Sequence, residues 1–514
     1  MGTFAVLIDV VSIQNYVFGS NKLKENLGAS FLVQDIYQSY LEEVVKKIFP
    51  SSRIDLDSWK NNSKTYDRSK PFNIGYIGGG NALLFFHESA KAEEFIREWT
   101  KTLLVEAPGI LTAVACEEFD LGNFTDEIKK LFQKLQENKR KSIPQTIIPR
   151  HGITAECSRT GYSMELWNDE VPADERNYIS SVAYAKNKAA KKAKDRLEED
   201  FASELDSKYC FTDQLDKLGQ SKGEDSHIAI VHIDGNEMGE RFRNTRSLEE
   251  VRALSCSVKE ATDNSVRSLL NEIISNFSMI QDALGFNGPD KKSKCPKLVL
   301  PLRPIIIGGD DITFVCDGRL GIYFAKVFME AFESQKDKKG EKLNLSSCAG
   351  IAITKTKYPF YRGYELSEQL CKNAKSQRKE HGGTGSWLDF HVAYGGFSGG
   401  LKKIRETHFQ VEGGNLCMRP YHIGGNDDEQ SFKVLVENTK ALRQNFPKSK
   451  IMELRRVLTL GEEARKTFVQ QMEARGSRLP KIAGRTYEKS LFEDSKTPYF
   501  DMIELMDFYP LDLE

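Results

Sequence analysis

Residues 303–316 read RPIIIGGDDITFVC. Two apolar runs flank two glycines and two aspartates, the pattern of a tight antiparallel hairpin. The flanks are too apolar for a mere surface turn, so the carboxylates of Asp310 and Asp311 stand at the tip of a buried element. Adjacent like charges repel, and one of the two must take up its proton unless a cation neutralises the pair. Oxygen ligands of this kind suit magnesium or manganese. Gly308 and Gly309 precede the pair, and the second of them lets a ligand approach the backbone where a side chain would block it.

Working outward, HIAIVHID (227–234) reads as a buried strand ending on Asp234, and helical periodicity runs from there to residue 282. After the hairpin come a helix, GIYFAKVFMEAFES, and a strand, LSSCAGIAIT. This β-α-β-β-α-β order is that of a ferredoxin-like unit, in which the first strand lies beside the hairpin. Asp234, Asp310 and Asp311 are therefore expected to converge on one metal site, with substrate phosphates completing it. Immediately after Asp234, the run Gly235-Asn236-Glu237-Met238-Gly239 opens a helix whose amide groups suit a phosphate.

The same order occurs earlier. TFAVLIDVV (3–11) is a strand, GASFLVQDIYQSYLEEVVKKIF (28–49) has the spacing of an amphipathic helix, and FNIGYIGGGNALLFFH (72–87) is a hairpin. Asp9 precedes Gly78 by 69 residues, and Asp234 precedes Gly308 by 74, the mark of a duplicated domain. In the first copy the tip reads Gly78-Gly79-Gly80-Asn81, so the acidic pair is missing and Asp9 alone cannot hold two metals. The fold class expected is α+β: a degenerate first palm over 1–200, a linker over 201–225, a catalytic palm over 226–385 and a helical domain over 386–514.

Composition narrows the function. With 73 basic and 74 acidic residues there is no global field to draw in long nucleic acid, while a small anionic ligand needs only a local site. The nine cysteines form no CxxC pair, which argues against a zinc ribbon or a disulfide framework. No apolar run reaches the ~18 residues of a membrane helix, and FAVLIDVV is short and interrupted by Asp9, so a cytoplasmic protein without membrane contact is expected. The basic run Lys186, Lys188, Lys191, Lys192, Lys194 and Arg196 reads as a solvated helix face.

HIDGNEMG, PLRPIIIGGDDITFV and AGIAITKTKYPF with LCKNAK resemble the catalytic palm of the large polymerase-like subunit of type III CRISPR effector complexes. DVVSIQNYVFGSNKLKENLGAS and YIGGGNALLFF resemble the non-catalytic partner palm of that family, and WLDFHVAYGG and LCMRPY the approach to its C-terminal helical domain. The resemblance implies synthesis of a cyclic oligoadenylate-like messenger from ATP in antiviral defence. It implies metals held by Asp234, Asp310, Asp311 and the Ile233 carbonyl, and a triphosphate met by Lys375 besides Gly235, Asn236, Gly239, Gly308 and Gly309. It also implies an acceptor nucleotide seated by Gly79 and Gly80. No histidine precedes an aspartate, and the family's cysteine-bound zinc module is missing, so a compact or stand-alone member without the His-Asp nuclease domain is expected. Nucleoside triphosphates are the expected ligands, with RNA, CRISPR effector subunits or further copies of the chain as partners. Two alternatives stay open: a silent palm-pair scaffold or nucleotide sensor, and a cyclase making a mono- or dinucleotide ring.

Overall fold

A computed structural model describes residues 2–51, 55–61, 66–67, 69–141, 152–171, 173, 176–218, 226–284, 297–395 and 399–513. Of the expected linker, 219–225 lies outside the described residues. Cα proximity divides the chain into two compact units. One holds Met1–Ser203 with Glu237–Thr262 and Ile305–Asp310; the other holds Glu204–Asn236, Asp263–Pro304 and Asp311–Glu514.

The first copy begins with strand β1 (Phe4–Val11) and helices α1 (Leu23–Asp35) and α2 (Ser39–Ile48). The single helix read over 28–49 is thus broken at residues 36–38, where Asp35 Oδ1 accepts a 2.6 Å hydrogen bond from Ser39 Oγ and so bridges the break. Then follow β2 (Phe72–Gly78), β3 (Asn81–Phe86), α3 (Ser89–Glu106), β4 (Leu111–Glu118), α4 (Phe124–Lys139) and, further on, α5 (Ser181–Asp200). The sheet order β2-β3-β1-β4, antiparallel throughout, is the ferredoxin-like order. Leu83, Leu84, Phe85 and Phe86 are fully buried, each side chain contributing ~1.5–3 kcal/mol by leaving water. On α5 the basic run is not uniformly solvated. Lys186 is buried, donates to the Tyr16 carbonyl at 2.5 Å and lies over the Tyr16 ring, so it is a packing residue of this unit.

The second copy comprises β5 (His227–Gly235), α6 (Met238–Arg243), α7 (Leu248–Ser275), β6 (Leu302–Ile307), β7 (Asp311–Asp317), α8 (Gly321–Glu333), β8 (Ser347–Lys355) and α9 (Phe360–Glu380). Its sheet runs β6-β7-β5-β8 and then continues through β9 (Ser386–Val392) and β10 (Tyr421–Ile423). The sheet therefore extends past residue 385. SWLDFHV pairs in parallel with β8, a geometry that needs a crossover, and α9 supplies it. Alternation along WLDFHV is hidden because all seven residues of β9 are buried, as expected of a strand covered on both faces. Gly350 on β8 fixes how closely α9 approaches. A Cβ there would lie 1.9 Å from the Ser367 carbonyl oxygen and 2.4 Å from the Cys371 nitrogen, both on α9.

The chain ends in helices α10 (Phe432–Asn445), α11 (Lys448–Val457), α12 (Glu462–Ala474) and α13 (Tyr499–Phe508). Arg419 ties α13 to the sheet. Its guanidinium donates to Asp501 at 2.6 Å and to Glu504 at 2.5 Å, and lies 3.9 Å from the centre of the Phe390 ring on β9. Asp501 also accepts from Tyr421 Oη and from the Met418 and Arg419 amides, so these buried charges are matched. Among the described residues no helix is long and apolar enough to cross a membrane.

Candidate active site

Antiparallel register sets Asp311, the first residue of β7, directly across from Asp234, near the end of β5, and two rungs further down Thr313 faces His232. Residues two apart on a strand share a face, so the four side chains line one side of the sheet. That face lies under α9, which supplies Tyr364, Glu368 and Lys375.

Asp311 is the stressed group. Its side chain is 32% exposed, but Oδ1 is enclosed and has no hydrogen-bond partner. His232 Nδ1 comes within 3.4 Å of it yet is hydrogen-bonded with Thr313 Oγ1, at 3.1 Å. Burial first, and the Asp234 charge second, push the Asp311 carboxyl up to about 8, with Lys375 opposing and Glu368 adding to the rise. An enclosed acceptor without a donor, facing a second carboxylate, is a place that a divalent cation fits. The repulsion expected of Asp310 and Asp311 is thus felt at Asp311, with Asp234 across the ladder as the nearby acid.

Asp234 is already neutralised. Lys375 Nζ donates to its Oδ2 at 2.6 Å and to the Gly235 carbonyl at 3.2 Å. Burial alone would lower the Lys375 pKa, but Asp234 outweighs it and holds the ammonium above its usual range. Among the described residues no three His, Cys, Asp or Glu side chains already form a metal cage. Asp310 sits half-buried on the loop just before β7. Ile233 is fully buried on β5 between Ile312 and Ala349.

The glycine and asparagine positions behave differently from one another. Asn236 is committed: its amide donates to the Ser346 carbonyl at 2.9 Å and its side chain to Ser346 Oγ at 3.0 Å. It braces the end of β5 against the residue before β8. Gly235 is buried beside it, opposite Ser347, and Gly239 is exposed on α6, a helix of only six residues. Gly309 is not left-handed, and a Cβ there would make only an ordinary contact, 3.9 Å from the Gly79 nitrogen. Its carbonyl accepts from Thr262 Oγ1 of α7 at 2.6 Å. On the same helix Arg252 donates to the Ile74 carbonyl and, at 2.6 Å, to that of Gly75, where β2 has a register shift. Arg252 and Thr262 thus hold β2 and Gly309, all four lying in the first unit.

The first copy shows the same frame emptied of acid. Asp9 faces Asn81 as Asp234 faces Asp311. Gly79 and Gly80 take φ of 59° and 78°, a two-residue turn left-handed at both positions, and Tyr37 Oη donates to the Gly80 carbonyl at 2.8 Å. Asp9 is ion-paired with Lys139, the last residue of α4. Sequence reasoning missed His232, Tyr364 and Glu368. The period-two spacing of His232 and Asp234 on one strand was the available signal for the first, while the two helical residues carried none.

A ferredoxin-like sheet with an acid-tipped first strand beside an acidic hairpin is a palm of the nucleotide cyclase and polymerase type. Residues 227–382 match the family Cas10/Cmr2, second palm domain. The second copy is thus similar to the Cas10/Cmr2 second palm, and the chain resembles the large polymerase-like subunit of type III CRISPR effector complexes. Among solved structures it resembles Csm1 of a Csm1–Csm4 cassette in complex with pppApApA, at 12% identity and a TM-score of 0.52 over 98% of this chain and 69% of that one. The cassette with pppApA gives 12% identity and 0.51 over the same shares. Csm1 of T. onnurineus gives 14% and 0.50 over 100% and 69%. No curated protein matches the sequence.

Proposed function

We propose that the chain is a nucleotidyltransferase that joins ATP into an oligoadenylate and closes it to a ring, in prokaryotic antiviral defence. The observation that carries this reading is Asp311: a carboxylate whose Oδ1 is enclosed without a donor, facing Asp234 at the tip of a Cas10/Cmr2-type palm. Asp234, Asp311 and Asp310, with the Ile233 carbonyl, are the groups that would hold magnesium or manganese. When bound, such an ion lowers the pKa of an attacking hydroxyl and stabilises charge on the leaving phosphate oxygens.

The chain's own residues supply position. Gly309 has space for a methyl group, and Gly308, Gly309, Lys375, Gly235 and Gly239 are the residues proposed to meet the nucleotide's phosphates. Asn236 holds the end of β5 through Ser346 and is proposed, with Gly235, to line the phosphate site. In-line attack of a 3'-hydroxyl on an α-phosphate expels pyrophosphate. Gly79 and Gly80 are proposed to seat the acceptor nucleotide. The product class draws on the Csm1 neighbours, whose bound pppApA and pppApApA are linear oligoadenylates. A Csm4-like subunit is the corresponding partner.

The second reading, a palm-pair scaffold, is favoured by one feature: the ion pair that already satisfies Asp234. Incubating the purified chain with labelled ATP and magnesium, and analysing the products by mass spectrometry, separates them. Pyrophosphate and oligoadenylate from the wild type, and neither from Asp310→Ala with Asp311→Ala, support the transferase. No pyrophosphate from the wild type, alone or with effector subunits, leaves the scaffold.

A further inference from the structure

Of the two carboxylates that face each other in the second palm, one holds an ammonium and the other has an enclosed oxygen with no hydrogen-bond donor. Lys375 Nζ lies 2.6 Å from Asp234 Oδ2, while Asp311 Oδ1 is without a donor. The ion pair is sheltered, with side chains 29% and 37% exposed, so water screens it less than an open surface pair. The first palm repeats the arrangement: Asp9, at the matching strand position, holds the ammonium of Lys139, and α4 follows β4 as α9 follows β8. A divalent cation bridging Asp234 and Asp311 would sit beside the Lys375 ammonium, and the two like charges compete for the one Asp234 carboxylate. The cation binds more readily once the ammonium has moved to other anionic oxygens.

We propose that Lys375 is a latch that keeps the Asp234–Asp311 pair closed to bare divalent cations and releases it when a triphosphate draws the ammonium away. Metal binding is thereby made to depend on nucleotide. The inference rests on reading Asp234 and Asp311 as metal ligands. The charges balance: the ammonium passes from the Asp234 carboxylate to phosphate oxygens, and the cation takes Asp234 together with Asp311.

The test is a titration of the full chain with Mn2+ in the absence of nucleotide, following the free-ion electron paramagnetic resonance signal. Lys375→Met is expected to bind Mn2+ about tenfold more tightly than the wild type, because the competing charge is gone. Lys375→Arg, which keeps the charge, stays within about twofold of the wild type. Asp311→Asn in the Lys375→Met background cancels the gain. Lys139→Met gives no gain, since Asn81 rather than an acid faces Asp9. Mn2+ affinity unchanged or weakened in a folded Lys375→Met protein overturns the latch, and so does an equal gain in Lys139→Met, which would reflect net charge alone. If the gain appears while no condition yields pyrophosphate, the transferase reading falls and the latch stands. If the wild type releases pyrophosphate and the gain is missing, the latch falls alone.

Discussion

Asp234 and Asp311 face each other across one rung of an antiparallel ladder, and only Asp234 has a cationic partner. The fold therefore bears the cost of one carboxylate oxygen, Asp311 Oδ1, enclosed without a donor. Asp311→Asn is expected to stabilise the protein in metal-free buffer by an amount on the order of 1 kcal/mol, seen as a raised thermal midpoint, because an amide needs no counter-charge. The same substitution should abolish pyrophosphate release. Differential scanning calorimetry in chelator and a pyrophosphate assay check the two halves. A lowered midpoint would show that Asp311 stabilises the fold and is not held under stress.

The approach of α9 to the sheet sets where Lys375 reaches. Gly350→Ala puts a methyl group 1.9 Å from a backbone oxygen of that helix, so helix and strand must separate. A loss of about 3 kcal/mol or more is expected, since neither partner is a flexible side chain. Urea unfolding measures it. Stability within 1 kcal/mol of the wild type would mean that α9 is not held where it is described.

These two features were unequally legible in the sequence. The acidic hairpin and the strand ending on Asp234 announce themselves, because a buried strand must be apolar and a charge at its tip then needs a reason. The duplication was legible too, through the repeated Asp-to-Gly spacing. What α9 does was not: Tyr364, Glu368 and Lys375 lie on a helix of mixed polarity, and nothing local tells which turn faces the sheet. Nor could the sequence show that SWLDFHV adds a strand to the second palm's sheet, since a strand buried on both faces has no alternation to read. The hydrogen bond of Asn236 to Ser346 was equally hidden, since the two residues are 110 apart in the chain.

Glycines at the two hairpin tips differ in backbone conformation. Gly80 has φ of 78°, a conformation that costs a side-chain-bearing residue about 1–2 kcal/mol, so Gly80→Ala is expected to destabilise by that much. Gly309 has no such backbone and has space for a methyl group in the protein itself. Gly309→Ala should leave stability within about 0.5 kcal/mol yet lower the rate of pyrophosphate release roughly tenfold or more, the mark of a glycine kept for a ligand. Thermal melts and initial rates on both variants decide it. If Gly309→Ala is fully active, the ligand does not approach that backbone.

His391 gives the fold a response to acid that is separate from the carboxylate pair. It is buried on β9, where burial foremost, and the Arg419, Arg405 and His408 charges after it, push its pKa down to about 3. In the unfolded chain an ordinary histidine binds a proton near pH 6.5. Between those two values the unfolded chain carries one more proton than the folded one at this site, so stability rises with pH through the window and is lost as pH falls below about 6.5. The slope from one proton is about 1.4 kcal/mol per pH unit once well inside the window. His391→Phe keeps a ring beside Phe409, whose centre lies 5.7 Å from that of His391, and removes the titration. Urea unfolding at pH 7.5, 6.0 and 5.0 should show the wild type losing stability faster than the variant, with the difference between them growing toward low pH. Parallel stability curves for the two proteins would mean that His391 is protonated in the folded state at pH 5, and that the buried arginines do not exclude the charge.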